Sequence, residues 1–259
     1  MLQKVTRFYK AARVDRTLLR FTILRYAAKL IMPDYRFVWP HMDWWDNAQF
    51  NQYLEKFGEL GKMNNERKWI LSQLMRLTAD IDGDTAECGV YHGASSWLIL
   101  KMNQISDFDN RAHYIFDSFA GLSKPSDIDG VTWEEGSLSC ELDVVKQNLK
   151  GFQDVYYYKG WIPDRFPEVE NKIFSFVHVD VDLYEPTLDS MEFFYPRMSS
   201  GGIIVCDDYG FSSCPGATRA IDEFLLDKEE GMISLPTGGG FMIKDRRTGK
   251  DWASGFPRS

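Results

Sequence analysis

The sequence predicts an α/β fold: a doubly wound, mostly parallel sheet of seven strands with a helical extension at the N-terminus. Three observations lead there. From about residue 84, short runs rich in Val, Ile, Phe and Tyr alternate with helical patterns, the arrangement of parallel βαβ units. Two apolar runs stop in paired acids, HVDVD and VCDD, and ligands of open α/β sheets bind beyond the carboxyl ends of the strands. A chain of 259 residues, 44% hydrophobic, is enough for one large domain with an extension.

Residues 1–61 form the extension, expected as a helical cap, lid or oligomer arm. Leu18, Leu19, Phe21, Leu24, Ala28 and Ile31 recur at roughly helical spacing, and Pro33 and Pro40 break the pattern, so a loop separates two helices. Residues 62–259 form the main domain. NNERKWILSQLM at 64–75 reads as a helix capped by Asn64 or Asn65. DTAECGVY is the first strand, followed by a glycine-bearing turn and the helix ASSWLILKMNQ. HYIFDSF is the second strand. The stretch AGLSKPSDIDGVTWEEGS is too long for a mere connector and is expected to be functional or lid-like. A helix over SCELDVVKQNLKG, with Ser139 as a possible cap, leads to the third strand, VYYYKG. FSFVHVDVD is the fourth, followed by a helix with Pro186 in its first turn. GGIIVCDDY is the fifth, followed by a helix from near Pro215. SLPTGGGFMIKD closes the sheet as a hairpin.

The net charge of −8 argues against a general nucleic-acid binder. Residues 1–40 nevertheless carry nine Lys/Arg against Asp15 and Asp34. A solvated basic helix face is favoured over a segment that docks on an anionic membrane or partner. Cys88, Cys140, Cys206 and Cys214 form no CxxC pair; Cys88 and Cys206 lie in strand runs as small core residues. That suggests a reducing compartment and no zinc site. The first residues are too charged for a signal-peptide core, and FTILRYAAKLI is too short and too charged to span a bilayer. A cytoplasmic protein without an integral membrane segment is expected.

The chemistry concentrates at the strand ends. A carboxylate is disfavoured in a sheet core unless paired or bound to a cation, yet Asp180, Asp182, Asp207 and Asp208 stand where two apolar strands stop. Their convergence would make an oxygen-rich pocket suited to Mg²⁺ or a similar ion. Residues i and i+2 of a strand share a face, so Asp180 and Asp182 can address one crevice; Asp207 and Asp208 can do so only if the chain turns there. Alternatively, Asp180 and Asp182 cap the next helix or pair with Arg197 or Arg219. Gly89 and Gly93 in AECGVYHGASS allow close approach of a ligand to the backbone, or simply a tight turn. Asp117 ends the second strand, where an acid commonly takes the two ribose hydroxyls; a loop or capping role is the bland alternative. Glu87 disfavours the pyrophosphate of NAD and favours a cofactor with a positive end, such as S-adenosylmethionine. Of the histidines, His113 and His178 read as satisfied residues within strands, His92 lies in the cofactor turn, and His41 could reach an acceptor if its loop is a lid. Tyr184, Tyr209 and Trp161 either line the pocket or pack structurally.

ECGVYHGASS, FDSFAGL, KGWIPDRFP, HVDVDLYEPTLDSMEFFYPRMSSGG and CDDYG followed by AIDEF resemble the macrocin O-methyltransferase family of class I, Rossmann-like methyltransferases. The likeness runs from about residue 62 to 245, is strong from 174 to 224, and fades over residues 1–60 and 120–138. It implies Mg²⁺ on Asp180, Asp207 and Asp208, Asp182 as general base, Glu87 facing the methionine moiety beside Gly89, and Asp117 on the ribose. Tyr91, Gly93 and Ser95 of the turn and Ser118 beside Asp117 complete the expected cofactor set. Val181 departs from the glycine common between the two acids of that motif, which could alter the geometry of the pair. The expected activity is Mg²⁺-dependent methyl transfer from S-adenosylmethionine to a hydroxyl of a small molecule, a sugar or glycosylated natural product, by a homo-oligomer. A catechol-type O-methyltransferase and a catalytically silent binding protein are the alternatives.

Overall fold

The computed structural model describes residues 16–36, 41–63, 65–105 and 111–248. The chain divides into two compact units, Met1–Leu60 and Gly61–Ser259. In the first, α1 covers Arg16–Ile31 and α2 covers Ala48–Lys56, with a short 3-10 turn at Asp43–Asp46. The Asn47 side chain accepts the Phe50 amide at 2.9 Å, satisfying one of the N–H groups a helix start leaves free. Trp44 meets Phe50 edge to face, ring centres 5.7 Å apart. Pro40 and the three residues before it lie outside the described residues.

The second unit is built on a sheet with strands in the order β3-β2-β1-β4-β5-β7-β6. They are β1 (Asp84–Cys88), β2 (His113–Asp117), β3 (Val155–Lys159), β4 (Phe174–Val179), β5 (Met198–Cys206), β6 (Ile233–Ser234) and β7 (Gly240–Ile243). The first five are parallel; β7 runs antiparallel to β5 and to β6, the expected closing hairpin. The helices are α3 (Asn65–Met75), α4 (Ala94–Ile105), α5 (Leu142–Asn148), α6 (Tyr184–Phe194) and α7 (Pro215–Phe224). The predicted doubly wound α/β class is therefore the observed one. α5 differs in detail: its N-cap residue is Glu141 and no side chain caps it, so Ser139 does not take that role.

Both faces of the sheet are covered. On one, Phe116, Val179, Ile204 and Cys206 pack with Met191 and Phe194 of α6 and Ile221 of α7. On the other, Ile115 packs with Leu100 of α4 and Val145 of α5. The near-continuous burial of β4 follows, since a strand sandwiched between helix layers meets apolar groups on both sides. Cys88 and Cys206 are fully buried, as their place in the strands predicts. The chain starts at the centre of the sheet, winds out to β3, and returns to β4 on the other side of β1. The strand order therefore reverses between β1 and β4, and a crevice opens beyond their carboxyl ends. No helix among the described residues is long and apolar enough to cross a membrane.

Candidate active site

A cleft of about 600 Å³ lies at that switch point. Its floor is the turn after β1 and the ends of β4 and β5. Gly89 there has a left-handed backbone (φ 78°), and a Cβ on it would sit 1.8 Å from the Asp180 carbonyl oxygen, so only glycine lets β1 and β4 approach this closely. Gly89, Tyr91 and Ser95 line the cleft, as do Asp117 and Ser118 at the end of β2. Asp117 is tied to the turn: its Oδ2 accepts the Val90 amide at 2.7 Å and its Oδ1 the Phe119 amide at 2.6 Å. The carboxylate as a whole keeps acceptor capacity for a ligand hydroxyl.

Glu87 and Gly93 lie elsewhere. Alternation along β1 sends Glu87 to the face covered by α4, where it is fully buried, accepts a hydrogen bond from Ser96 Oγ, and pairs with His178 Nδ1 at 2.8 Å. It does not line the cleft, so the expectation that it faces the cofactor's methionine end is corrected. A Cβ on Gly93 would meet Val145 and Leu149; that glycine serves packing against α5.

All four predicted carboxylates line the cleft, but not by the predicted strand geometry. β4 ends at Val179, so the shared-face argument for Asp180 and Asp182 does not apply. Asp182 instead has φ 60°, and its backbone N–H donates to Asp208 Oδ2 at 2.8 Å. β5 ends at Cys206 and the chain turns at once, which brings Asp207 and Asp208 to the same crevice. The acids sort into two groups: Asp180 and Asp207 with His178, and Asp182 and Asp208 with Cys214. The ligating atoms within each group lie within 4.8 Å of one another.

Charge is unevenly balanced across these groups. Burial, then the Asp207 charge, push Asp180 up to about 8. Burial is also the main force raising Asp182 to about 6, and burial beside Asp182 and Asp180 raises Asp208 well above the ordinary range. Burial opposes ionisation of Asp207 as well, but His178 and the Arg67 guanidinium outweigh it and hold the carboxyl down at about 2. Arg67 Nη1 donates to Asp207 Oδ2, while His178 Nε2 lies 3.7 Å from Asp207 Oδ1, an ion-pair rather than a hydrogen-bond separation. The donor set fits a divalent cation: hard oxygens outnumber the local cations, and three of the four acids resist ionising while no further positive charge is present.

Arg197 and Arg219 do not reach the acids: Arg197 stacks over Phe193 and Arg219 pairs with Glu223. His113 bonds Thr85 and Ser96 as a satisfied core residue. His92 faces Cys140, and His41, in the first unit, bonds Asp46. Tyr184 and Tyr209 spend their hydroxyls on Glu223 and Asp222, whereas Trp161 does form a wall of the cleft.

Sequence reasoning missed Arg67, Trp133 and Cys214. The Cys214 thiol donates to Asp182 Oδ1 at 3.5 Å and Trp133 Nε1 donates to the same sulfur at 3.3 Å. The TWEE segment carrying Trp133 was legible only as part of an overlong loop. No pattern marks Arg67, whose partner is 140 residues away. That long loop supplies Gly121, Leu122, Ser123, Thr132, Trp133 and Leu138 to the cleft and is anchored rather than loose. Asp129 accepts from the Ser126 amide and hydroxyl and from the Tyr184 amide that opens α6.

A doubly wound, mostly parallel sheet with carboxylates gathered at its switch point defines the class, the Rossmann-like α/β proteins. Solved structures share this fold: the O-methyltransferase NovP (TM-score 0.60, 24% identity, 70% of this chain and 81% of that one) and a calicheamicin methyltransferase (TM-score 0.63, 18% identity, 80% and 95%). The family model for macrocin-O-methyltransferase matches residues 63–234, and the chain belongs to that family. Similar relatives include demethyldecarbamoylnovobiocin O-methyltransferase of Streptomyces niveus (26% identity, 64% of this chain and 68% of that one). A second is the 8-demethyl-8-(2,3-dimethoxy-alpha-L-rhamnosyl)-tetracenomycin-C 4'-O-methyltransferase of Streptomyces olivaceus (30% identity, 55% and 59%). Mycinamicin III 3''-O-methyltransferase of Micromonospora griseorubida matches at 27% identity over 54% of this chain and 60% of its own length.

Proposed function

We propose that this protein is an O-methyltransferase that moves a methyl group from S-adenosylmethionine to a sugar hydroxyl of a glycosylated small molecule, with a divalent cation, Mg²⁺, at the acid cluster. The observation that carries the reading is the convergence of Asp180, Asp182, Asp207 and Asp208 beside the Gly89 turn in one cleft. Membership of the macrocin-O-methyltransferase family supports the reaction type, and a relative named for a rhamnosyl position supports the acceptor class.

The methyl donor would lie along the turn from Gly89 to Ser95, its ribose hydroxyls toward Asp117. Backbone amides already fix that carboxylate, so its acceptor directions are set before the ligand arrives. S-adenosylmethionine supplies a methyl group on a sulfonium, whose departure needs little help. The acceptor is the difficulty, because an aliphatic hydroxyl is a poor nucleophile at neutral pH. Asp180, Asp207 and Asp208 would hold the cation, with His178 behind Asp207. When bound, the cation acts as a Lewis acid that orients the hydroxyl and lowers its pKa. Asp182 would accept the proton that the acceptor hydroxyl gives up when it takes the methyl group from the donor's sulfonium. Cys214 donates to one oxygen of Asp182 and so helps to fix its orientation. Trp133 and Trp161 give the cleft apolar walls suited to a sugar ring and its aglycone, and the loop over 120–138 contributes to acceptor choice.

The test is methyl transfer from labelled S-adenosylmethionine to parallel panels of glycosides and catechols, with EDTA and with Mg²⁺ restored. A methyl ether on a glycoside hydroxyl, lost with EDTA and regained with Mg²⁺, is expected. Methylation of catechols alone would reassign the acceptor, and full activity in EDTA would refute the cation.

A further inference from the structure

Arg67 is the group at the acid cluster that the proposed reaction leaves without a task. It projects from the first turn of α3, the helix over residues 65–75. Its Nη1 donates to Asp207 Oδ2 and, at 3.1 Å, to the Asp207 carbonyl oxygen. Its guanidinium carbon lies 4.9 Å from the centre of the Phe211 ring, a cation–π distance. The side chain is about four-fifths buried, so this pairing is only weakly screened by solvent. Asp207 has its other oxygen, Oδ1, toward His178, which is anchored from below by Glu87 at 2.8 Å. Both carboxylate oxygens thus already face a positively charged or hydrogen-donating side chain. A divalent cation taking Asp207 from the cleft must share the carboxylate with a positive charge that already faces it. His178 is fully buried and fixed between two acids. Arg67 lines the cleft, and it is the partner free to give way.

We propose that Arg67 is a built-in counter-ion that occupies Asp207 while the site is empty of metal, and that divalent cation binding displaces it. Arg67 thereby weakens the site's hold on metal. It also couples metal loading to a movement of the guanidinium within the acceptor cleft, beside Phe211. The inference rests on the cation reading proposed above. Two like charges competing for one carboxylate repel by several times thermal energy at contact distances, even at a protein-like dielectric. Removing one of them therefore strengthens binding of the other.

Mn²⁺ binding, followed by the loss of the free-ion electron paramagnetic resonance signal, tests this directly and requires no turnover. Arg67→Gln is expected to bind Mn²⁺ about tenfold or more tightly than the wild type, and Arg67→Lys, which keeps the charge, within about threefold of it. Binding by Arg67→Gln that is unchanged or weaker overturns the inference and leaves the cation site standing. Absence of Mn²⁺ binding in wild type and variant alike would instead remove the cation reading itself. Should Arg67→Gln not fold, ¹⁵N-arginine-labelled wild type serves. Its Arg67 side-chain resonance, identified by its loss in Arg67→Lys, moves on addition of Mg²⁺ if the guanidinium leaves Asp207. A resonance that stays put while Mn²⁺ binding is intact overturns the displacement.

Discussion

In the proposed reaction, Asp182 is the residue on which turnover depends most. Its left-handed backbone turns it out of the line of β4, and burial, with the Asp207 charge added and the Cys214 hydrogen bond opposing, raises its affinity for a proton. Asp182→Asn keeps the shape and removes the base. Turnover is expected to fall by about 10²-fold or more, with S-adenosylmethionine affinity by calorimetry unchanged. Near-normal turnover would take the proton-accepting role away from Asp182. The four acids were legible in the sequence because an apolar strand seldom ends in two carboxylates unless they are paired or hold a ligand. Their grouping was not. A period-two argument needs a strand, and the strand stops before Asp180. Glu87 was misplaced for a related reason: it lies within β1, where alternation turns it under α4, and not in the turn that follows. Arg67 carries no local signature at all, since its meaning comes from a contact 140 residues away in the chain.

At the scale of elements, the loop between β2 and α5 shapes the cleft through one buried carboxylate. Asp129 holds the opening amide of α6 at 2.7 Å and caps its own 3-10 turn through Ser126. It also packs so closely on α7 that a Cβ on Gly216 would fall 2.0 Å from its Oδ1. Asp129→Ala leaves a buried amide without a partner, which costs about 1–3 kcal/mol. The expected outcome is a melting temperature lower by about 2–4 °C for each of those kilocalories, and a raised KM for the acceptor with little change in S-adenosylmethionine affinity. Thermal melts and steady-state kinetics check both; an unchanged acceptor KM would show that the loop does not shape that side of the cleft. The alternation of strands and helices predicted these elements well, because it follows from burial on both faces. The anchoring of the loop did not show, since the aspartate in SDIDG has the same composition whether it caps a turn locally or grips a helix 55 residues on.

For the molecule as a whole, the buried polar layer under the sheet links acid tolerance to fold. His113 of β2 sits between Thr85 of β1 and Ser96 of α4, with His178 of β4 nearby and Glu87 beyond Ser96. Burial, reinforced by His178, lowers its pKa from the ordinary 6.5 to about 3. Its folded value lies below its unfolded value, so as pH falls through 6.5 the unfolded chain takes a proton that the folded chain refuses. His113 therefore weighs against the fold increasingly between about pH 6.5 and about pH 3, and not above that window. At neutral pH His113→Gln loses buried hydrogen bonds and is less stable than the wild type. The gap between the two in urea unfolding is expected to narrow as pH drops from about 7 to about 4; a gap independent of pH would mean that His113 titrates normally. The fold class was legible from whole-chain patterning because a doubly wound sheet repeats one simple unit. The division into units also left a trace, since the alternation of strand and helix begins only after about residue 84. The role of the first unit has no such trace: its basic residues favour a solvated helix face over a docking segment, but they do not separate a cap from a lid or an oligomer arm.

Anomalous diffraction from crystals grown with Mn²⁺ and S-adenosylhomocysteine bears most directly on whether these carboxylates share one cation beside the methyl donor. A single Mn²⁺ peak bridging oxygens of Asp180, Asp207 and Asp208, with the thioether sulfur facing Asp182 across the cleft, is the predicted result. Occupied S-adenosylhomocysteine with no metal peak at those oxygens, or Mn²⁺ confined to Asp182, Asp208 and Cys214, would contradict it.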